Sequence, residues 1–329
     1  MENDSTKDRF SRRGFIGIGS AALATVAGSL AVSSATAQQG QMTNKARTDR
    51  SATDPGPTNE ALDSQNRDSA WPPATDSKSL VQNFKYPFSF ANKRTYEGGW
   101  SREVTVRELA VSKSLAGVNM RLTAGGIREL HWHTADEWAI VLYGTARITA
   151  IDRDGKSFVA DVKKSDLWYF PSGIPHSIQG LDPDGTEFML VFDDGNFSES
   201  ETVLLSDSMA HLPPEVLSKN FGVAEAALKN LPKQELFIFQ TAVPGPLEAD
   251  QKAAAGALGK SSNDFAFRTM EMPPTKRTKG GEVRIVDSNT FKVSTNVAMA
   301  MVTVHAGGGN CTGTPTPTNG SITSRAKEE

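Results

Sequence analysis

Three of the five histidines in this chain share one pattern. His131-Trp132-His133 is followed by Glu137, and His176 comes much later, behind the turn Pro171-Ser172-Gly173-Ile174-Pro175. In a strand, successive side chains point to opposite faces, so His131 and His133 face one way and Trp132 the other. Glu137 returns to the same pocket if the strand bends, and His176 arrives from a distant strand. A fold that satisfies the pattern must bring these β segments onto one pocket. Three neutral imidazoles and one carboxylate form a mixed nitrogen and oxygen set suited to Mn, Fe, Co, Ni or Zn. The plainer reading, in which these are unrelated core and surface histidines, has to treat the His-x-His pair, the downstream Glu and the remote Pro-x-Gly-x-x-His as a coincidence.

The text around the pattern is β-like. From about Phe84 to Leu205, short apolar or alternating runs recur: Val104-Thr105-Val106, Gly117–Leu122, Trp138–Tyr143, Ala146–Ile151, Ser157–Ala160 and Phe188–Phe192. Asp154-Gly155, Pro171-Ser172-Gly173 and Asp184-Gly185 supply turn signals between them. Many short strands without intervening helices predict an all-β sandwich or barrel. From Leu212 to Leu231 the apolar spacing becomes helical, broken at Gly222. An offset of 182 residues carries Gly99 onto Gly281, Val118–Leu122 onto Ala300–Val304, and Ala124-Gly125-Gly126 onto Ala306-Gly307-Gly308, which marks an internal duplication.

These residues carry a resemblance. Gly125, His131-x-His133, Glu137 and Gly144 are spaced like the first cupin motif, and Pro171-x-Gly173-x-x-His176 like the second. With the flanking stretches 97–108, 115–121, 128–133 and 166–173, the chain resembles the bicupin oxalate decarboxylases from about Phe84 to about Gly308. The resemblance implies a cupin jelly-roll barrel with the metal inside it, bound by His131, His133, Glu137 and His176. It also implies Mn as the metal (Fe or another divalent ion being the alternative) with dioxygen as co-catalyst. Arg128 is implied as the anchor of the oxalate carboxylate, a task suited to a bidentate guanidinium. Its position three residues before His131 does not by itself put it in the pocket. The loop Ser198-Glu199-Ser200-Glu201-Thr202 is similar to the family's lid, with Glu199 as the proton-transferring acid and Glu201 as an added charge. The implied reaction is cleavage of oxalate to formate and CO2. The alternatives are an oxalate oxidase releasing hydrogen peroxide and an inactive metal-binding remnant. A trimer or hexamer is implied for the full-length form.

Composition narrows the rest. A formal net charge of -3 leaves no polybasic face for nucleic acid, and one cysteine, Cys311, excludes an internal disulfide. Residues 1–37 resemble a twin-arginine signal peptide: Arg12-Arg13 precede an apolar, small-residue run, and Ala35-Thr36-Ala37 offers a cleavage site. That run is too weakly apolar for a stable membrane span. The expected location is the periplasm, cell envelope or extracellular space. Residues 38–80 are polar and read as a disordered linker. The expected order then continues with an N-terminal cupin barrel over 81–205, a helical connector over 206–264 and the first strands of an incomplete second cupin over 265–308. An off-pattern tail follows over 309–329.

In that tail the repeat places Gly313, Pro315 and Asn319 where ligands would fall. Back-translated from the third base of Gly309, the shifted frame permits Glu-Leu-His-Trp-His-Pro-Asn-Thr-Asp-Glu-Trp, which is the missing second motif. A frameshift in the gene or in its sequencing is therefore the expected cause, against a genuine Thr/Pro/Gly-rich tail. Strands left without partners predict open edges and an exposed apolar face.

Overall fold

The computed structural model describes residues 84–256 and 258–308. The export segment 1–37, the linker 38–80 and the tail 309–329 lie outside the described residues, as do the first residues of the 81–205 range. Among the described residues, no helix is long and apolar enough to cross a membrane.

Twelve strands build the main sheet: β1 (Lys93–Tyr96), β2 (Gly99–Val104), β3 (Ala116–Leu122), β4 (Gly126–Trp132), β5 (Glu137–Ile151), β6 (Ser157–Lys163), β7 (Leu167–Phe170), β8 (His176–Gly180), β9 (Thr186–Phe192), β10 (Val203–Leu204), β11 (Ile238–Gln240) and β12 (Ala266–Phe267). All of their pairings are antiparallel. The strands form two layers joined by β5. Its first half pairs with β7 and β9, and from Thr145 onward it pairs with β6 and β8. The sheet curls over a shared apolar core, as a jelly roll does. In that core Trp168, Phe170, Phe188, Ile148 and Ile178 are fully buried. β3 shows how the sequence sorts itself, because Val118, Met120 and Leu122 alternate along the strand and all line the core.

Three features differ from the sequence reading. The runs 138–143 and 146–151, expected as separate strands, form one strand that changes layer at Gly144. That residue has φ 71°, and a Cβ there would lie 1.9 Å from the Gly185 carbonyl oxygen, so glycine is required. The run 104–106 does not continue as strand. The Thr105 N–H donates to Glu108 Oε2 at 2.8 Å, which starts a turn where β2 ends. The connector is less helical than expected: it holds α1 (Leu205–His211), α2 (Pro214–Phe221) and α3 (Leu247–Ala255), but also β11, which pairs with β4. α2 stops at Gly222 in the left-handed conformation, the break that the sequence marks.

Residues 266–267 pair with β7 of the first barrel rather than opening a second one. The later strands β13 (Lys276–Thr278), β14 (Gly281–Val286) and β15 (Met299–Val304) form a separate three-stranded sheet. It reproduces β1–β3 at the same offset: Gly281 has φ 150° against 152° at Gly99, and each crowds the carbonyl of the matching residue, Thr303 or Arg121. One face of this sheet, through Val286 and Met299, packs on Trp138, Leu167 and Tyr169 of the first barrel.

Candidate metal centre and substrate pocket

The four ligand candidates meet inside the barrel. Ligand atoms of His131, His133, Glu137 and His176 all lie within 4.8 Å of one another, and all four residues are buried. β4 delivers His131, the turn after it His133, the start of β5 Glu137 and the start of β8 His176. Each imidazole is oriented by backbone. His131 Nδ1 donates to the Glu129 carbonyl at 2.6 Å, His133 Nδ1 to Ala135 at 2.7 Å and His176 Nδ1 to Ile174 at 2.7 Å. A carbonyl only accepts, so each Nδ1 carries the proton and each Nε2 offers a bare lone pair.

Those lone pairs make an orphaned set. His176 Nε2 is buried without a hydrogen-bond partner, although it lies 3.3 Å from Glu137 Oε2. His133 Nε2 is 3.2 Å from the same oxygen. With Nδ1 protonated, these contacts set lone pair against lone pair, an arrangement that a cation between them would relieve. Donors about 2.1 Å from one ion at right angles sit roughly 3 Å apart, so the donor set fits a divalent metal. Electrostatics agree. Burial holds His131 well below the ordinary histidine range, with the Arg128 charge reinforcing it, and burial also lowers His176. Burial opposes ionisation of Glu137, but His176 and His133 outweigh it and the carboxyl lies below its usual range. Trp168 Nε1 donates to Glu137 Oε1 at 2.8 Å and fixes the carboxylate's rotation.

Arg128 reaches the same inner wall by a route that its spacing conceals. In the β4–β8 pairing Arg128 lies opposite Ile178 and His131 opposite His176, so β4 holds one extra residue between them. Ile178 and His176 are two apart on β8 and share a face, and the bulge puts Arg128 and His131 on that face too. The Arg128 guanidinium is buried against the Phe237 ring, 3.8 Å from its centroid. Phe237 itself adopts φ 56°, held there as its N–H donates to Glu129 Oε1 at 2.7 Å.

Glu199 lies in a short 3-10 helix, Glu199–Glu201, whose N-cap Ser198 accepts from the Ser200 N–H. It is buried, with 3% of its surface exposed. Ser101 Oγ donates to its Oε2 at 2.8 Å, and Arg94 lies 4.0 Å from the same oxygen. The Glu199 backbone N–H donates to Glu103 Oε2 at 2.7 Å. Burial pushes the Glu199 carboxyl up, with Arg128, Ser101 and Arg94 pulling partly against it. Phe197 from the same loop stacks on Phe192 and closes over the His133 ring. The sequence reading did not find Ser101, Trp168, Phe192, Phe197 or Phe237. Trp168 lies in a stretch that carries the resemblance, whereas Phe237 sits in the connector with no local signal.

A barrel with three imidazoles and a carboxylate converging on its inner wall defines a metal-binding cupin, and the cupin family model matches residues 88–229. The chain is 48% identical to the oxalate decarboxylase OxdC of Bacillus subtilis over 270 residues, covering 82% of this chain and 69% of that protein. It is 36% identical to a probable oxalate decarboxylase of Arthroderma benhamiae, covering 77% of this chain and 62% of that one. A solved structure of the B. subtilis enzyme, described for its Mn(II) centres, superposes with a TM-score of 0.67 at 50% identity, covering 78% of this chain and 67% of that one. A formate complex of Lactobacillus farciminis oxalate decarboxylase gives a TM-score of 0.67 at 45% identity, covering 70% and 67%. The chain belongs to the bicupin oxalate decarboxylase family, whose named members are carbon–carbon lyases, and it spans about two thirds of the length of these relatives.

Proposed function

We propose that this chain cleaves oxalate to formate and CO2 at the first-barrel site, with Mn bound by His131, His133, Glu137 and His176 and with dioxygen as co-catalyst. The observation that carries this reading is the buried acid Glu199, which feels the charge of the buried Arg128, as the ligands His131 and Glu137 do. The chemistry that a bound Mn supplies with dioxygen is one-electron oxidation of oxalate, which weakens its carbon–carbon bond.

The chain's own residues do the rest. Arg128 pairs with a substrate carboxylate and fixes its orientation, and the low-dielectric wall of Phe237 strengthens that pairing. Phe197 and Phe192 exclude water above His133. Burial favours the neutral form of Glu199, the form that can give a proton. After CO2 leaves, that proton goes to carbon and the electron withdrawn at the outset returns to the one-carbon fragment, so that formate forms with no net oxidation. An oxidase sharing these ligands needs no such donor, so Glu199 favours decarboxylation. The export expected from residues 1–37 would place this chemistry outside the cytoplasm.

The test is an oxalate assay on the Mn-loaded chain at mildly acidic pH, with formate and hydrogen peroxide quantified together. Formate in excess of peroxide is the expected result. Peroxide without formate reassigns the chain as an oxidase, and neither product from folded, metal-bound protein refutes catalysis by this chain.

A further inference from the structure

His133 and Glu137 are joined by the turn Thr134-Ala135-Asp136, and Asp136 is bonded through both carboxylate oxygens and its backbone N–H. Its carboxylate is buried, with 8% of the residue exposed. Oδ1 accepts from the Ser172 N–H at 2.6 Å, and Oδ2 accepts from Tyr169 Oη at 2.5 Å. Its backbone N–H donates to Asp193 Oδ1 at 2.8 Å, at the end of β9. The neighbouring Gly173 N–H donates to the His133 carbonyl at 2.9 Å. The turn between two ligands is therefore stitched to the Pro171–Pro175 turn that delivers the fourth, His176. This carboxylate and the Gly173–His133 bond both tie the two metal motifs together.

One member of the cluster comes from outside the barrel. Asn296, in the connection between β14 and β15, donates from Nδ2 to Asp136 Oδ2 at 2.5 Å and to Asp193 Oδ2 at 3.1 Å. A primary amide nitrogen has two hydrogens, so each carboxylate receives one. Without that donor, two carboxylates face each other across the gap, and like charges in a partly buried setting push apart. The push would act on Asp136, one residue from the ligand Glu137.

We propose that Asn296 is a positioning residue for the first-barrel metal site: its amide clamps Asp136 to Asp193 and so sets the reach of His133 and Glu137 towards His176. By this clamp the three-stranded sheet supports the metal centre of the first barrel from behind. The inference rests on the metal reading of that site. Neither the spacing of the motifs nor the implied roles of Arg128 and Glu199 require it.

The test compares the unsubstituted chain with Asn296→Ala, Asn296→Asp and Asn296→Gln by Mn(II) titration against a competing chelator. The Mn(II) electron paramagnetic resonance spectrum and the melting temperature of the metal-free protein are recorded for each. Partners that orient metal ligands are worth roughly 10–100-fold in affinity, and Asn296 acts one bond further out. Asn296→Ala should weaken Mn binding about threefold and Asn296→Asp, which adds a third carboxylate, about tenfold or more. Both should change the zero-field splitting of the bound ion, and Asn296→Gln should restore part of the affinity. A merely structural role would lower the metal-free melting temperature and leave the spectrum unchanged, and that result overturns the inference. So does wild-type affinity in both Ala and Asp variants. If the unsubstituted chain binds no Mn(II), the metal reading falls together with this inference, whereas unchanged variants of a binding chain sink the inference alone.

Discussion

A carboxyl group serves as an acid only where its surroundings favour the protonated form, and burial shifts Glu199 in that direction. It is buried, its carboxyl is pushed above the ordinary glutamate range by that burial, and Ser101 fixes one oxygen. Glu199→Gln keeps the shape and the contact with Ser101 but cannot deliver a proton. We expect formate production to fall about 10²- to 10⁴-fold with Mn content unchanged, the usual worth of a positioned acid. The sign of the pH effect follows from the same shift. The neutral form is needed, so activity is present at low pH and is lost as pH rises through the raised pKa of Glu199. That alkaline limb in kcat/KM should sit above the ordinary glutamate value and vanish from the residual activity of Glu199→Gln; a limb that persists in the variant refutes the assignment. At this scale the sequence was most legible where spacing alone carries the geometry. His131, His133, Glu137 and His176 are each recognisable from strand alternation and turn residues, and the structure brings all four together. Arg128 is the counter-example: its spacing of three from His131 points it away from the pocket, and only the bulge in β4 brings it in. No side chain in β4 announces that bulge, because it is set by pairing with β8.

Elements are less legible than residues here, because a strand's ends depend on which partner takes its N–H groups. β5 shows this. Its two halves read as separate strands around Tyr143-Gly144-Thr145, yet the backbone runs on and only the partners change, from β7 and β9 to β6 and β8. Gly144 is the pivot, with a left-handed φ of 71° and the Gly185 carbonyl oxygen occupying the space a Cβ would need. Gly144→Ala therefore meets both a disfavoured backbone angle and a backbone clash that no side chain can relieve. We expect a loss of about 3 kcal/mol or more in unfolding free energy, at the upper end for single substitutions. It would be read as a lower denaturation midpoint with an unchanged slope. An alanine variant within about 0.5 kcal/mol of the parent would mean that β5 is not held at this point. The connector teaches the same lesson from the other side. Gly222 marked the end of α2, but β11 was invisible, since its three residues become a strand only by lying beside Ile127 and Arg128 of β4.

Across the whole molecule, the duplication decides what is left exposed. In the first barrel Val118, Met120 and Leu122 of β3 face the core and are fully buried. The residues that match them on β15 are Ala300, Val302 and Val304, and these share a face with Ile285 of β14. That face lies open: Val302 is 41% exposed, Val304 44% and Ile285 42%. The opposite face, through Val286 and Met299, packs on the first barrel. The three-stranded sheet therefore shows to solvent the surface that its counterpart uses as barrel lining. A contiguous apolar patch of this kind favours self-association. Replacing Val302 and Val304 by threonine keeps strand propensity while removing apolar surface. Burying a valine is worth about 1.5 kcal/mol, and at 41% and 44% exposure the pair would account for roughly 1–2 kcal/mol of association energy. We expect the double variant to self-associate about tenfold more weakly in sedimentation velocity and to bind less of an apolar dye. Its Mn(II) affinity should stay at the parent value, because neither valine touches the Asn296 clamp or the ligands. Equal self-association by parent and variant would show that this face is not where the chain meets other copies of itself. A loss of Mn(II) affinity would show instead that the sheet's outer face, as well as Asn296, is coupled to the metal centre.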